Sequence, residues 1–281
     1  MVRGASRRSA RDRSRETEHV KAMSTTATEP VRVEKSEGGA YWRVILGGSK
    51  GNIIDSRMIS ALTVVFHEAT ADRHLKAVCL EGAGNHFSFG ASVPEHLPEH
   101  VPNMLRAFHD LFGVMTSSSL FLLAAVRGQC LGGGLELVSF CHRVFASPDA
   151  KLGQPEILLG VFAPVASVIL KDRVGRAHAE DLLLSGRVIG AEEALTFGLV
   201  DAVAANPGEA ALAYAREHIL PCSASTLRHA VKAARSELVP RLTHTLRELE
   251  RSYLEELMAT HDAVEGIQAF LEKRPPRWQD E

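Results

Sequence analysis

From Val31 onward, short apolar runs alternate with longer stretches in which apolar residues recur every three or four positions. Tyr41 to Leu46, Lys76 to Leu80 and Phe121 to Val126 have the length and the β-branched or aromatic content of buried strands. Behind Asp55, a suitable N-cap, Met58, Ile59, Leu62, Val65 and Phe66 repeat at helical spacing. A glycine-rich loop from Gly82 to Gly90 and a polar stretch follow, and then Leu105, Phe108, Leu111, Phe112 and Met115 mark the buried face of a second helix. Gly132, Gly133 and Gly134 open a short helix through Glu136 and Phe140, and strand-like segments surround Val144 and Leu152. From Pro164 to the end the pattern turns helical. Strands alternating with helices predict an α/β layered fold, and the helical tail predicts a cap or an oligomer contact.

Composition narrows this picture only slightly. The 281 residues are 45% hydrophobic and 23% charged with a net charge of -2, ordinary values for one main globular domain. That balance gives no broad attraction to nucleic acid, although a local basic patch remains compatible with a phosphorylated ligand. Cys79, Cys130, Cys141 and Cys222 form no CxxC and read as reduced thiols, which points to a cytoplasmic protein. No apolar run reaches the length of a membrane span. Residues 1–30 carry six arginines among Ser and Thr with almost nothing apolar, so they read as a disordered extension, within which Met23 offers an alternative start. A core over 31–220 and a helical region over 221–281 complete the expected organisation.

Several patterns suggest chemistry and fail on inspection. A Walker phosphate loop needs Lys-Ser/Thr after its last glycine, where this chain has Leu135-Glu136. A dinucleotide fingerprint starting at Gly132 needs a small residue at the position of Leu137. His96 and His100 match the letters of an H-x-x-E-H zinc motif, but Pro98 between them disrupts the helix that would aim both at one metal. No metal site is expected.

Three separated segments form a stronger constellation: Phe89-Gly90-Ala91-Ser92, then Gly128 to Glu136 with its triple glycine, then Gly153-Gln154-Pro155-Glu156. With Leu184-Ser185-Gly186-Arg187, the Glu193 to Val200 segment and the tail from Glu265 to Arg274, the order and spacing resemble the crotonase superfamily of enoyl-CoA hydratases and isomerases. The 20-residue interval from Glu136 to Glu156 also fits its hydratases. The resemblance covers nearly everything beyond the extension. It implies a crotonase-type spiral of ββα units, α/β in class, with a helical C-terminal trimerisation region, and assembly as a homotrimer or dimer of trimers.

Hydration of an unsaturated thioester puts negative charge on the thioester oxygen, so fixed backbone donors aimed there lower the barrier, each worth about 3 to 4 kcal/mol. By resemblance, Ala91 and Gly133 supply these N–H groups. Glu136 orients and deprotonates water, and Glu156 donates a proton to carbon, although the two roles are open to exchange. Lys50, Phe270 and Lys273 match positions that approach coenzyme A, which enters as part of an acyl-CoA substrate, with no separate cofactor. Where ordinary hydratases read Pro-Gly-Ala-Gly-Gly-Thr after the second glutamate, this chain has Gly160 to Ser167, with bulky Phe162 and Val165; Ser92 also replaces the usual Asp. These departures resemble members that hydrate cyclohexa-1,5-diene-1-carbonyl-CoA to 6-hydroxycyclohex-1-ene-1-carbonyl-CoA. They imply a substrate pocket of Phe162, Val165 and Ser92. A straight-chain enoyl-CoA hydratase or isomerase is the alternative. An RNA-binding or structural crotonase-fold protein fits less well, given the near-neutral charge and the complete glutamate pair.

Overall fold

The computed structural model describes Met1 and residues 29–281; the arginine-rich extension lies almost wholly outside the described residues. The chain builds nine strands and ten α-helices in the order β1 (Val31–Ser36), β2 (Tyr41–Leu46), α1 (Ser56–Ala71), β3 (Ala77–Gly82), α2 (Val101–Ser118), β4 (Phe121–Val126), β5 (Gln129–Leu131), α3 (Gly133–Phe140), β6 (Arg143–Ala146) and β7 (Lys151–Gly153) among the described residues. Then come α4 (Pro164–Val174), α5 (Arg176–Ser185), β8 (Val188–Gly190), α6 (Ala191–Phe197), β9 (Ala202–Val203), α7 (Pro207–Tyr214), α8 (Ala224–Ala234), α9 (Leu238–Arg251) and α10 (His261–Leu271). Six strands form one sheet in the order β1-β2-β3-β4-β6-β9, antiparallel only between β1 and β2. A second sheet runs β5-β7-β8. The chain leaves the large sheet at β4, enters the small one at β5 and returns through α3, which is the expected ββα turn of a spiral.

The central strands β2, β3, β4 and β6 are buried on both faces, which is why they read as nearly continuous apolar runs. Trp42, Val44 and Leu46 join one extensive core with the inward faces of α1 and α2. Tyr41, Ala77, Cys79, Leu123 and Ala125 point the other way and pack beneath Ala211 and Ala215 of α7 and the turn after it. The predicted strands β2 and β4 coincide with the observed ones, and β3 lies one to two residues later than its pattern indicates. The C-terminal third departs from the purely helical expectation, because β8 and β9 are three and two residues long. Such short segments carry no readable period and become strands only because β7 and β6 offer backbone partners.

The C-terminal helices pack onto the core: α9 lies against α4 and α2, and α10 against the 3-10 turns Val93–His96 and Pro155–Leu159. His96 ends the first of these turns with Nδ1 bonded to the Ser92 carbonyl at 2.8 Å, while His100 stands at the start of α2. Among the described residues no helix is long and apolar enough to cross a membrane.

Candidate active site

The segment 87–92 is held between two extended segments by their backbones. On one side the Phe89 N–H donates to Gly51 O (2.8 Å), Ile54 N–H to Gly90 O (3.0 Å) and Ser92 N–H to Ile54 O (3.0 Å). On the other, Ser88 N–H donates to Gln129 O and Leu131 N–H to Ser88 O, both at 3.0 Å. This register leaves the Ala91 N–H out of the bridge to Ile54. Two buried polar side chains lock the loop from within. Asn52 donates from Nδ2 to the carbonyls of Ala83, His86 and Phe87, and Ser88 Oγ donates to Asn52 O while accepting from Gly90 N–H.

Gly133 begins α3, so its N–H is one of the first-turn donors that no helical carbonyl can reach. A methyl group built on Gly133 would lie 3.4 Å from the Ala91 nitrogen and 3.4 Å from Phe108 Cζ. The structure therefore brings the two expected oxyanion donors side by side, at the positive end of a helix dipole. Gly132 ahead of them has φ +51 and ψ −127, a conformation that glycine alone adopts readily. A Cβ there would come within 2.6 Å of Glu156 Oε1, so this glycine also makes room for the second carboxylate.

Glu136 is buried in α3, and its Oε1 accepts a hydrogen bond from the Ala166 N–H at 2.9 Å. The acceptor thus sits at the N-terminus of α4, the segment where the sequence departs from ordinary hydratases. Burial pushes the Glu136 carboxyl up to about 7, against the Ala166 and Val165 N–H groups, which favour the charged form. Glu156 lies on the 3-10 turn after β7 with Oε2 enclosed and without a protein partner. Burial first, and the Glu136 charge second, push it up to about 8. The two carboxyls therefore titrate as a pair in which Glu136 is the better stabilised anion and Glu156 the more readily protonated member.

The other expected site residues are distributed unevenly. Phe162 is half-buried and packs edge-on against Tyr253, with ring centroids 5.2 Å apart. Val165 is fully enclosed in the core, and its visible link to the site is the backbone N–H near Glu136. Ser92 caps the turn Val93–His96 through its carbonyl. Lys50 is exposed and lines a cleft of about 500 Å³ between 47–52 and 83–86, beside the loop that carries Ala91. Phe270, in the last turn of α10, and Lys273, two residues beyond the helix, lie on exposed surface. A larger cavity of about 850 Å³ lies elsewhere, between α2, α8 and α9.

Three residues of the site escaped the sequence reading: Asn52, Ser88 and Tyr253. The first two act through loop hydrogen bonds that no local pattern announces. Tyr253 comes from a π-turn, Ser252–Glu256, nearly 100 positions beyond Glu156, and its ring is almost completely buried.

The same order of segments is found across a large group of known proteins. Residues 48–281 match the profile of the enoyl-CoA hydratase/isomerase family. The chain is 50% identical over 254 residues to the cyclohexa-1,5-dienecarbonyl-CoA hydratase of Thauera aromatica, covering 90% of this chain and 98% of that protein. It is 34% identical over 238 residues to a probable enoyl-CoA hydratase of Bacillus subtilis, covering 82% and 92% respectively. Among solved structures, the carnitinyl-CoA hydratase of Mycobacterium avium superposes with a TM-score of 0.76 at 28% identity, over 90% of this chain and 99% of that one. With paired backbone donors, two enclosed glutamates and a match over most of its length, the chain belongs to the enoyl-CoA hydratase/isomerase family.

Proposed function

We propose that the protein hydrates a conjugated cyclic acyl-CoA thioester, converting cyclohexa-1,5-diene-1-carbonyl-CoA to 6-hydroxycyclohex-1-ene-1-carbonyl-CoA. The observation that carries the hydratase reading is the unequal pair: one glutamate held by the backbone N–H groups of α4, the other with one enclosed oxygen unmatched, beside the N–H groups of Ala91 and Gly133. The 50% identity to the Thauera aromatica enzyme and the aromatic pair of Phe162 and Tyr253 support a flat ring as the acyl group. A rigid ring loses little conformational entropy on binding.

In this reading the thioester oxygen accepts from the Ala91 and Gly133 N–H groups. Glu136, ionised, takes a proton from water as the water oxygen bonds to the β-carbon. The electron pair of the β-carbon double bond moves onto the thioester, and the charge spreads through the second double bond. Protonated Glu156 delivers its proton to the far carbon of that conjugated system, which restores a neutral thioester and leaves one ring double bond. A proton relay between the carboxyls, through solvent, returns the pair to its starting state.

Coenzyme A is then a handle on the substrate, with Lys50 near its phosphates, and the reaction calls for neither metal nor separate cofactor. The four unpaired cysteines support a reducing, cytoplasmic setting. Adjacent exposed apolar residues, Ile157, Leu158, Leu184 and Val188, support a trimer or dimer of trimers.

Competition between the cyclic dienoyl-CoA and crotonyl-CoA for purified protein tests the substrate. The ring thioester is expected to have the higher kcat/KM, and the reverse order would favour a straight-chain enoyl-CoA hydratase. Glu136→Gln and Glu156→Gln are each expected to lower hydration at least about 100-fold while acyl-CoA still binds. Near-normal turnover in either variant removes that residue from the chemistry.

A further inference from the structure

The phenol oxygen of Tyr253 is enclosed by protein and has no hydrogen-bond partner. Buried hydroxyls are normally matched, because an unmatched one forfeits its bond to water. The position is firmly held. The ring is 1% exposed and packs against Phe162, and three residues earlier Glu250 of α9 is bonded to His109 Nδ1 of α2 at 2.7 Å. The backbone widens here into a π-turn, a distortion that costs regular helical bonding and is often found at functional sites. Phe162, against which the ring packs, follows Val161, whose N–H donates to the Glu156 carbonyl at 3.2 Å. Glu156 Oε2 is likewise buried and unmatched, and after burial itself the charges of Glu156 and Glu136 are what push the Tyr253 phenol up. The phenol therefore stays protonated throughout the working range and serves only as a donor. The two carboxyls need a donor of this kind. Water held between ionised Glu136 and protonated Glu156 directs its protons toward carboxyl oxygens, and the Glu156 proton is aimed at the far ring carbon, which leaves the water's lone pairs free to point in several directions. One fixed donor to the water oxygen occupies one lone pair and aims the other.

We propose that the Tyr253 hydroxyl binds the oxygen atom that is added to the substrate, donating to the attacking water and afterwards to the ring hydroxyl of the product. The C-terminal region thus supplies a catalytic group as well as a cover. This inference rests on the hydratase reading of the glutamate pair.

The test compares wild type with Tyr253→Phe, which keeps the ring against Phe162. Removing an unmatched hydroxyl leaves the melting temperature equal or higher, while kcat falls roughly 10- to 100-fold, the low end of what a positioned polar group supplies. Inhibition constants sharpen the assignment. The hydroxylated product is expected to bind the variant roughly tenfold more weakly. Cyclohexanecarbonyl-CoA, which has the ring and thioester but no hydroxyl, is expected to inhibit both proteins alike. Equal weakening of both thioesters, an unchanged kcat, or a lowered melting temperature would each overturn the proposal. If wild type binds neither thioester, the hydratase reading fails with it; if wild type turns over normally and the variant matches it, only the Tyr253 assignment fails.

Discussion

Glu136 and Glu156 are alike in chemistry and differ only in what surrounds them. Backbone N–H groups at the start of α4 stabilise charge on Glu136, whereas Glu156 Oε2 has no such donor and feels the charge of its neighbour. The proposed mechanism needs the first ionised and the second protonated, so kcat/KM is expected to rise as pH increases through about 7 and to fall again above about 8. Initial rates across pH 5 to 10, roughly the span over which both limbs develop, check this; a flat profile would sink the acid and base assignment. The same shifts bear on stability. Both folded-state values lie above the usual 4.5, so the stabilisation from keeping these carboxyls protonated is complete below about 4.5 and is lost as pH rises through about 7 and about 8. Glu156→Gln cannot ionise, so its melting temperature relative to wild type is expected to improve from acidic to alkaline buffer, by about 2 to 4 °C for each kcal/mol relieved. Calorimetry at the two extremes decides it, and a constant difference would show that Glu156 does not titrate in the folded protein.

The elements that matter most are those whose ends meet the site. The N-terminus of α3 supplies Gly133, the N-terminus of α4 holds Glu136, and α1 begins two residues after Ile54, the partner of Ala91. Asp55 caps α1 by accepting from Met58 N–H at 2.8 Å. Losing such a cap costs about 1 kcal/mol. Asp55→Ala is therefore expected to lower the melting temperature by about 2 to 4 °C. It is also expected to reduce kcat, because the segment that registers Ala91 loses its anchor. Paired melting curves and initial rates test both halves; lost stability with an unchanged rate would mean that Ala91 is held by the Gln129 side of the loop alone.

At the scale of the whole molecule, the exposed apolar side chains are grouped. Leu158 is 59% exposed and Leu184 71%, and both flank Gly186, where an added Cβ would sit 2.9 Å from Ile157 Cγ2 and Leu158 Cγ. Ile157 and Leu158 lie on the turn that carries Glu156, so an interface there would brace the side chain proposed as the acid. Light scattering at micromolar concentration is expected to give a trimer or hexamer. Leu158→Asp is expected to shift it toward monomer with loss of hydration. A monomeric wild type would refute the assembly and leave the patch without this role.

Local periodicity and spacing made much of this protein legible in advance. The alternation of apolar runs placed β2, β4, α1 and α2 closely, because side chains two or 3.6 residues apart report on one buried face without help from the rest of the chain. The triple glycine was legible for a similar reason, since a tight turn into a helix can be read where it occurs, whereas the 20-residue spacing of the glutamates gained meaning only through the resemblance to the family. What belongs to distant segments was not legible. The two-residue β9 exists only through β6, and the asymmetry of the glutamates depends on an N–H 30 positions away from Glu136. Val165 reads as a bulky pocket residue, yet the fold buries its side chain and uses its backbone. Tyr253 looks in sequence like any aromatic residue on an amphipathic helix; only the packing of α9 on α4 and α2 brings it to Phe162 and the carboxylates. Which surfaces face one another across the chain decides burial and charge environment, and those in turn set the protonation states on which the chemistry depends.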